Sequence, residues 1–204
     1  MTPTPGLPSC RESGAGPAVV CLHANASTSA QWRGLMVRLG DRRRLLAPDS
    51  YGCGQSPEWP SARTISLADE ARLIAPVLAS AGASFALVGH SYGGAIALRV
   101  ACQMPEHVQA LMLYEPTMFA LIEADGPAPN EADGIRDAVA AAGALLDAGD
   151  GEAAARRFID YWSGPGAWDQ TPAERRPAIA RSIANVRRWG TRCSPSRCRC
   201  LWQC

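Results

Sequence analysis

Phe85-Ala-Leu-Val-Gly-His-Ser-Tyr-Gly-Gly-Ala95 decides the fold, because it sets a serine between glycines where an apolar strand gives way to a helix. The pattern is G-x-S-x-G, in which a sharp strand-to-helix turn forces the serine backbone into a strained conformation and leaves its hydroxyl exposed. Only small neighbours, here Gly89 and Gly93, let strand and helix approach closely enough. A plain glycine-rich surface loop would share the five residues but not their setting. Phe85 to Val88 before the turn is continuously apolar, and Ala95, Ile96, Ala97, Leu98, Val100 and Ala101 follow it. Ser91 is therefore the candidate nucleophile.

Strand and helix alternate outward from this turn. Ala18-Val-Val-Cys-Leu22 reads as a buried strand, Gln31 to Leu39 as a helix, and Arg44-Leu-Leu-Ala47 as a second strand. Leu67 to Ala81 reads as a helix capped by Ser66, with Asp69 and Glu70 favouring its first turn. Tyr92 to Gln103 and Val108 to Tyr114 add the next helix and strand. Such alternation predicts a parallel sheet covered by helices. After Pro116 the pattern changes to three helices, Ile135 to Leu146, Glu152 to Trp162 and Pro172 to Arg188, with no strand between them. They read as a helical lid, with Phe158, Tyr161, Trp162 and Trp168 suited to the roof of an apolar pocket.

The chain has 204 residues, 47% apolar and 19% charged, which is ordinary globular composition with room for a sizeable core. A net charge of +1 argues against a nucleic-acid partner. Nothing suggests a membrane span, and Met1 to Ser9 has neither a basic start nor an apolar run, so the expected location is cytoplasmic. Cys21 and Cys102 read as small buried hydrophobes.

Three segments in the same order resemble the α/β-hydrolase superfamily over about Arg11 to Arg188. Leu22-His-Ala-Asn-Ala26 is similar to its oxyanion loop, Ala47-Pro-Asp-Ser-Tyr-Gly-Cys-Gly-Gln-Ser56 to its Asp-x-x-Gly-x-Gly-x-Ser turn, and Gly89-His-Ser-Tyr-Gly-Gly94 is the elbow. The implied fold is a three-layer α/β structure with a parallel sheet of the α/β-hydrolase type and a helical lid, incomplete at both ends. The implied division is a core over residues 1–118, a lid over 119–188 and an atypical Cys- and Arg-rich tail over 189–204. At the front, only Arg11-Glu-Ser-Gly-Ala-Gly16 hints at the hairpin that opens this fold.

The resemblance implies Ser91 as nucleophile and the backbone N–H groups of Asn25 and Tyr92 as the oxyanion hole, with no cofactor. A dinucleotide site fails on spacing, since the turn reads G-x-x-x-G-G rather than G-x-G-x-x-G. A serine hydroxyl needs an adjacent base, and the histidines stand at 23, 90 and 107. His23 reads as a loop brace, His90 is turned away by the elbow, and His107 falls at the far end of the sheet. Glu115, directly after the fourth strand, is the possible acid, with a structural turn role as its alternative. Asp49 reads as a turn brace.

The last residues, from Trp189, show no apolar strand, and their Arg, Cys, Pro and Ser content is that of GC-rich DNA read out of frame. The expectation is a frameshift that removed the acid and the histidine. A metal site of Cys193, Cys198, Cys200 and Cys204 is disfavoured by the C-x4-C-x-C-x3-C spacing. The expected function is hydrolysis of an ester or related acyl or C–C bond in a small apolar substrate, impaired in this chain. The rival is an inactive binder of small molecules. An unpaired edge at Val108, Leu111 and Leu113 predicts self-association.

Overall fold

The computed structural model describes residues 6–61, 63–119, 126 and 129–183. The cysteine-rich tail and the end of the helix expected up to Arg188 lie outside them. Two compact units are present, one built from residues up to 61 and from 66 to 117, the other from 62 to 65 and from 118 onward.

The first unit is a five-stranded sheet. Its strands are β1 (Cys10–Ser13), β2 (Ala18–Leu22), β3 (Arg44–Pro48), β4 (Phe85–His90) and β5 (Val108–Tyr114), in the order β1-β3-β2-β4-β5. Only β1 runs antiparallel, pairing Cys10 with Pro48 through Ser13 with Leu45. The helices are α1 (Arg33–Leu39), α2 (Leu67–Ser80) and α3 (Tyr92–Gln103). The chain steps from β2 to β3 in one direction and from β3 through β4 to β5 in the other. Right-handed crossovers therefore place α1 on one face and α2 and α3 on the other, giving three layers. On the α1 face Val19, Cys21, Leu45 and Ala47 pack with Met36, Trp32 and Leu39. The intervening residues Val20, Leu46 and Leu87 are equally buried and face the other way.

Cys21 is buried as expected, and burial pushes its thiol up to about 12. Cys102 is only half-buried. The helix expected from Gln31 begins instead as a 3₁₀ turn, Ser29–Trp32, whose first turn is capped by the Thr28 side chain. At α2 the capping box is complete: the Ser66 hydroxyl accepts from the Asp69 N–H, and the Asp69 carboxylate accepts from the Ser66 N–H at 2.9 Å.

β5 pairs on one side only among the described residues. Leu111, Met112 and Tyr114 are exposed, Met112 by 66%, while Val108 and Leu113 are half-buried.

The second unit is helical: α4 (Asp133–Asp147), α5 (Gly151–Ser163), the short α6 (Ala167–Gln170) and α7 (Arg176–Ile183). Ala138 and Ala142 of α4 and Ala154 and Ala155 of α5 are fully buried, and such small residues allow a close helix–helix approach. Trp168 belongs to this core rather than to a pocket roof, being fully buried with the Arg176 guanidinium 5.7 Å over its ring. Tyr161 and Trp162 are exposed, with ring centroids 5.1 Å apart. The last helix starts at Arg176 rather than Pro172, which puts Pro177 in its first turn. A proline there lacks no needed N–H, whereas a helix from Pro172 would hold it in the interior.

Candidate active site

Ser91 follows the last residue of β4 and caps α3, with φ 54° and ψ −119°. A non-glycine residue there carries strain of about 1–3 kcal/mol, so the surroundings must enforce it. They do so through the backbone. The Ser91 N–H donates to the Tyr114 carbonyl at 2.9 Å, and the Ser91 carbonyl accepts from Gly94 at 2.9 Å and Thr117 at 3.2 Å. The neighbouring glycines make room. A Cβ on Gly89 would lie 2.6 Å from the Gly94 Cα, and one on Gly93 would fall 2.6 Å from the His23 carbonyl oxygen and closer still to that of Leu22. These contacts also show that the loop after β2 rests directly on the first turn of α3.

That loop holds Asn25, in a turn completed by Ala26 at φ 55°. It is braced from three sides. The Ala24 N–H donates to the Gln31 side chain at 3.0 Å. Inside the loop, His23 is buried, and both ring nitrogens are engaged: Nε2 accepts from the Ser50 N–H at 3.0 Å, so Nδ1 carries the proton and donates to the Ala24 carbonyl at 2.8 Å. Burial holds this imidazole below its ordinary range, against the pull of Asp49 with its Oδ1 3.8 Å away. His23 is thus a neutral strut with no nitrogen left for a serine. Asp49 is a turn brace: its carboxylate accepts from the Ser29 N–H at 2.5 Å, and Gly54 at φ +56° packs on it where a Cβ would collide.

The other histidines also stand apart from Ser91. The His90 ring lies on the Tyr114 ring with centroids 4.9 Å apart, and burial lowers its pKa although the charge of Glu115 opposes the shift. His107 precedes β5 at the other end of the sheet, where its Nδ1 bonds the Ala83 carbonyl at 2.7 Å. A six-residue strand, about 20 Å, separates that end from Ser91. Among the described residues no hydrogen bond joins a histidine to Ser91. Glu115 does sit at the Ser91 end, directly after Tyr114, and its φ of 46° is a second strained position beside the elbow. Among the described residues no group of three or more His, Cys, Asp or Glu is placed to hold a metal ion, and no helix is long and apolar enough to cross a membrane.

One residue was read from the sequence only as favouring a helix's first turn, and the structure sets it against Tyr92, the neighbour of Ser91. Glu70 of α2 is 1% exposed, its Oε2 accepting from the Tyr51 N–H at 3.3 Å and its Oε1 lying 3.5 Å from the Tyr92 hydroxyl. Burial pushes its carboxyl up to about 8, against the lowering effect of both hydrogen bonds. The signal is present in the sequence, since Glu70 heads the helical stripe Leu73, Ile74 and Val77.

Comparison with known proteins agrees with this geometry. The alpha/beta hydrolase fold family model matches residues 17–186. The lipase LipV of Mycobacterium tuberculosis is 32% identical over 149 residues, 72% of this chain and 52% of that protein. The pimeloyl-[acyl-carrier protein] methyl ester esterase of Nitrosomonas europaea is 36% identical over 115 residues, 56% of this chain and 43% of that protein. The crystal structure of an alpha/beta hydrolase from Sphaerobacter thermophilus superposes with a TM-score of 0.68 at 23% identity, covering 89% of this chain and 69% of that one. The chain thus spans about half the length of LipV and less of the esterase. A strained serine at the end of a parallel strand, the glycines that permit it and a family match across most of the sequence lead to one assignment: this chain belongs to the alpha/beta hydrolase fold family.

Proposed function

We propose that Ser91 is the nucleophile of a serine hydrolase acting on an ester or related acyl bond of a small apolar substrate, with the N–H groups of Asn25 and Tyr92 receiving the oxyanion. The observation that carries this reading is the Ser91 backbone, held at φ 54° by bonds to Tyr114 of β5, to Gly94 and to Thr117. An oxyanion hole needs two donors set in advance, and each is worth roughly 3–4 kcal/mol of transition-state stabilisation. The lipase and esterase relatives act on esters by name, which supports the bond type. Exposed Tyr161 and Trp162 support an apolar ligand, in a unit that we read as the lid.

By these residues alone turnover is slow in our reading, because none of the histidines at 23, 90 and 107 is bonded to Ser91 among the described residues. Loss of a triad member costs on the order of 10⁴–10⁶ in rate. Glu115 is the acid in this scheme. The test is labelling by a fluorophosphonate, followed by peptide mass spectrometry. Slow modification at Ser91 that vanishes in Ser91→Ala is expected. Labelling at the rate of a complete triad would mean an unrecognised base, and saturable ligand binding without modification would favour a binder.

We also propose that a second copy pairs along the side of β5 that meets no strand among the described residues, where Val108 to Tyr114 carry no charge to repel it. Light scattering should then show mass rising with concentration, and Met112→Lys should return the chain to monomer. A monomer at every concentration would count against this.

A further inference from the structure

The two N–H groups assigned to the oxyanion hole come from separate segments, one from the loop after β2 and one from the start of α3. Something must hold them in register, since a shift of about 1 Å at such a site can cost about a hundredfold in rate. A continuous hydrogen-bonded path runs between the two segments inside the first unit. His23, bonded to the Ala24 carbonyl, accepts from the Ser50 N–H. The next residue, Tyr51, donates its N–H to Glu70 Oε2, and Glu70 Oε1 meets the Tyr92 hydroxyl. Both ends and the carboxyl between them are buried: His23 is 2% exposed, Tyr92 8% and Glu70 1%.

The Glu70 carboxyl is the piece of this path that packing alone does not explain. A buried carboxyl is costly, and an apolar side chain of similar volume would fill the position at less cost. Its backbone is fixed as well, because the Glu70 N–H bonds the Ser66 carbonyl at 3.2 Å within the capped first turn of α2.

We infer that Glu70 is a positioning residue, whose carboxyl ties the Tyr51 turn to Tyr92 and so sets the backbone that follows Ser91. The inference rests on the reading of Ser91 and Tyr92 given above. Titration of this carboxyl exposes the tie. The ionisable groups facing it are Asp69 on its own helix, the Cys53 thiol on the turn and the Tyr92 phenol on α3. Burial lifts the thiol and the phenol well above their usual ranges, so Glu70 is the group that changes charge at mildly alkaline pH.

The chain has four tyrosines, at 51, 92, 114 and 161, so incorporation of ¹⁵N-tyrosine gives one amide resonance for each. Between pH 6 and 9.5 the Tyr51 and Tyr92 amides should move together with a midpoint near 8, and Glu70→Gln should abolish both movements. A Tyr92 amide that stays still, alone or together with that of Tyr51, overturns the inference, and the wild-type titration decides this even if the variant fails to fold. The functional arm is the ratio of Ser91 phosphonylation rates in wild type and Glu70→Gln. It should be near one at pH 6.5 and fall about tenfold by pH 9.5, as a buried charge appears beside the oxyanion donor. A flat ratio overturns the positioning role. Absence of Ser91 labelling in both proteins overturns the hydrolase reading instead, and leaves the amide shifts to judge the tie.

Discussion

Gly93→Ala should lower the thermal midpoint by about 6–12 °C, corresponding to roughly 3 kcal/mol in a chain of this size. The new methyl group has nowhere to go, because the atoms it meets are the Leu22 and His23 carbonyl oxygens. These are backbone atoms at the end of β2, where Leu22 pairs with Gly89 of β4, so relief requires moving a central strand or lifting α3 from the sheet. Either movement disturbs Ser91 as well. Gly34→Ala is the control, since nothing lies within 4 Å of a Cβ at Gly34 on α1. It should be neutral or stabilise by up to about 1 kcal/mol, because a free helical glycine only adds entropy to the unfolded chain. Thermal unfolding followed by circular dichroism checks both. Equal midpoints for the two variants would mean that the contact at Gly93 is not as tight as described.

The second large effect is alkaline. Glu70 titrates near its ordinary 4.5 in the unfolded chain and at about 8 in the folded one. A raised carboxyl pKa means that the folded state holds its proton longer, so stability is full below about 4.5 and is lost as pH rises towards 8. At 1.36 kcal/mol per unit the loss is of the order of several kcal/mol. Glu70→Gln keeps an acceptor for Tyr51 and cannot ionise. It should therefore match the wild type near pH 4.5 and exceed it by a few kcal/mol above pH 8. His23 acts in the opposite direction, since a neutral buried imidazole held below 6.5 costs stability as pH falls beneath that value. The two slopes oppose each other in mildly acidic solution; above about 6.5 the Glu70 slope acts without that of His23, and above about 9 the buried Cys21 and Cys53 thiols, also raised, add to it. Urea denaturation at pH 5, 7 and 9 on both proteins measures this, and parallel curves would show that Glu70 keeps one charge state throughout.

The sequence disclosed those parts whose signal is local. Apolar runs marked β2 and β4, and the glycine spacing marked the elbow before any contact was known. Helix α3 runs over Tyr92–Gln103 as its pattern predicts. β1 is different: Cys-Arg-Glu-Ser has no apolar face, and it is a strand because it pairs with β3, where Arg44 Nε meets Glu12 Oε1 at 2.6 Å. A strand at an edge is specified by its partner, so its own residues say little. Trp168 read as part of a pocket roof because the four residues of α6 carry no period to show a buried face, and only the surrounding helices bury it. Glu70 was hidden by its charge, which at a helix N-terminus has an ordinary explanation in the helix dipole. Among the site residues, the strained turn at Ser91 was legible from the motif together with its apolar strand and helix setting. The engagement of both His23 nitrogens was not, since Ser50 lies 27 residues away.

Ser91, the proposed nucleophile, is wired to β5. Ser91 donates its N–H to the Tyr114 carbonyl, and its carbonyl accepts from the Thr117 N–H just after the strand, so the peptide that aims the hydroxyl hangs from β5 and its end, a strand that pairs on one side only among the described residues. Whatever lies along β5 therefore acts on Ser91 through one strand's thickness of backbone. Tension, pairing or fraying along that strand becomes a change of serine geometry, and the reactivity of Ser91 serves as a gauge of the state of the strand.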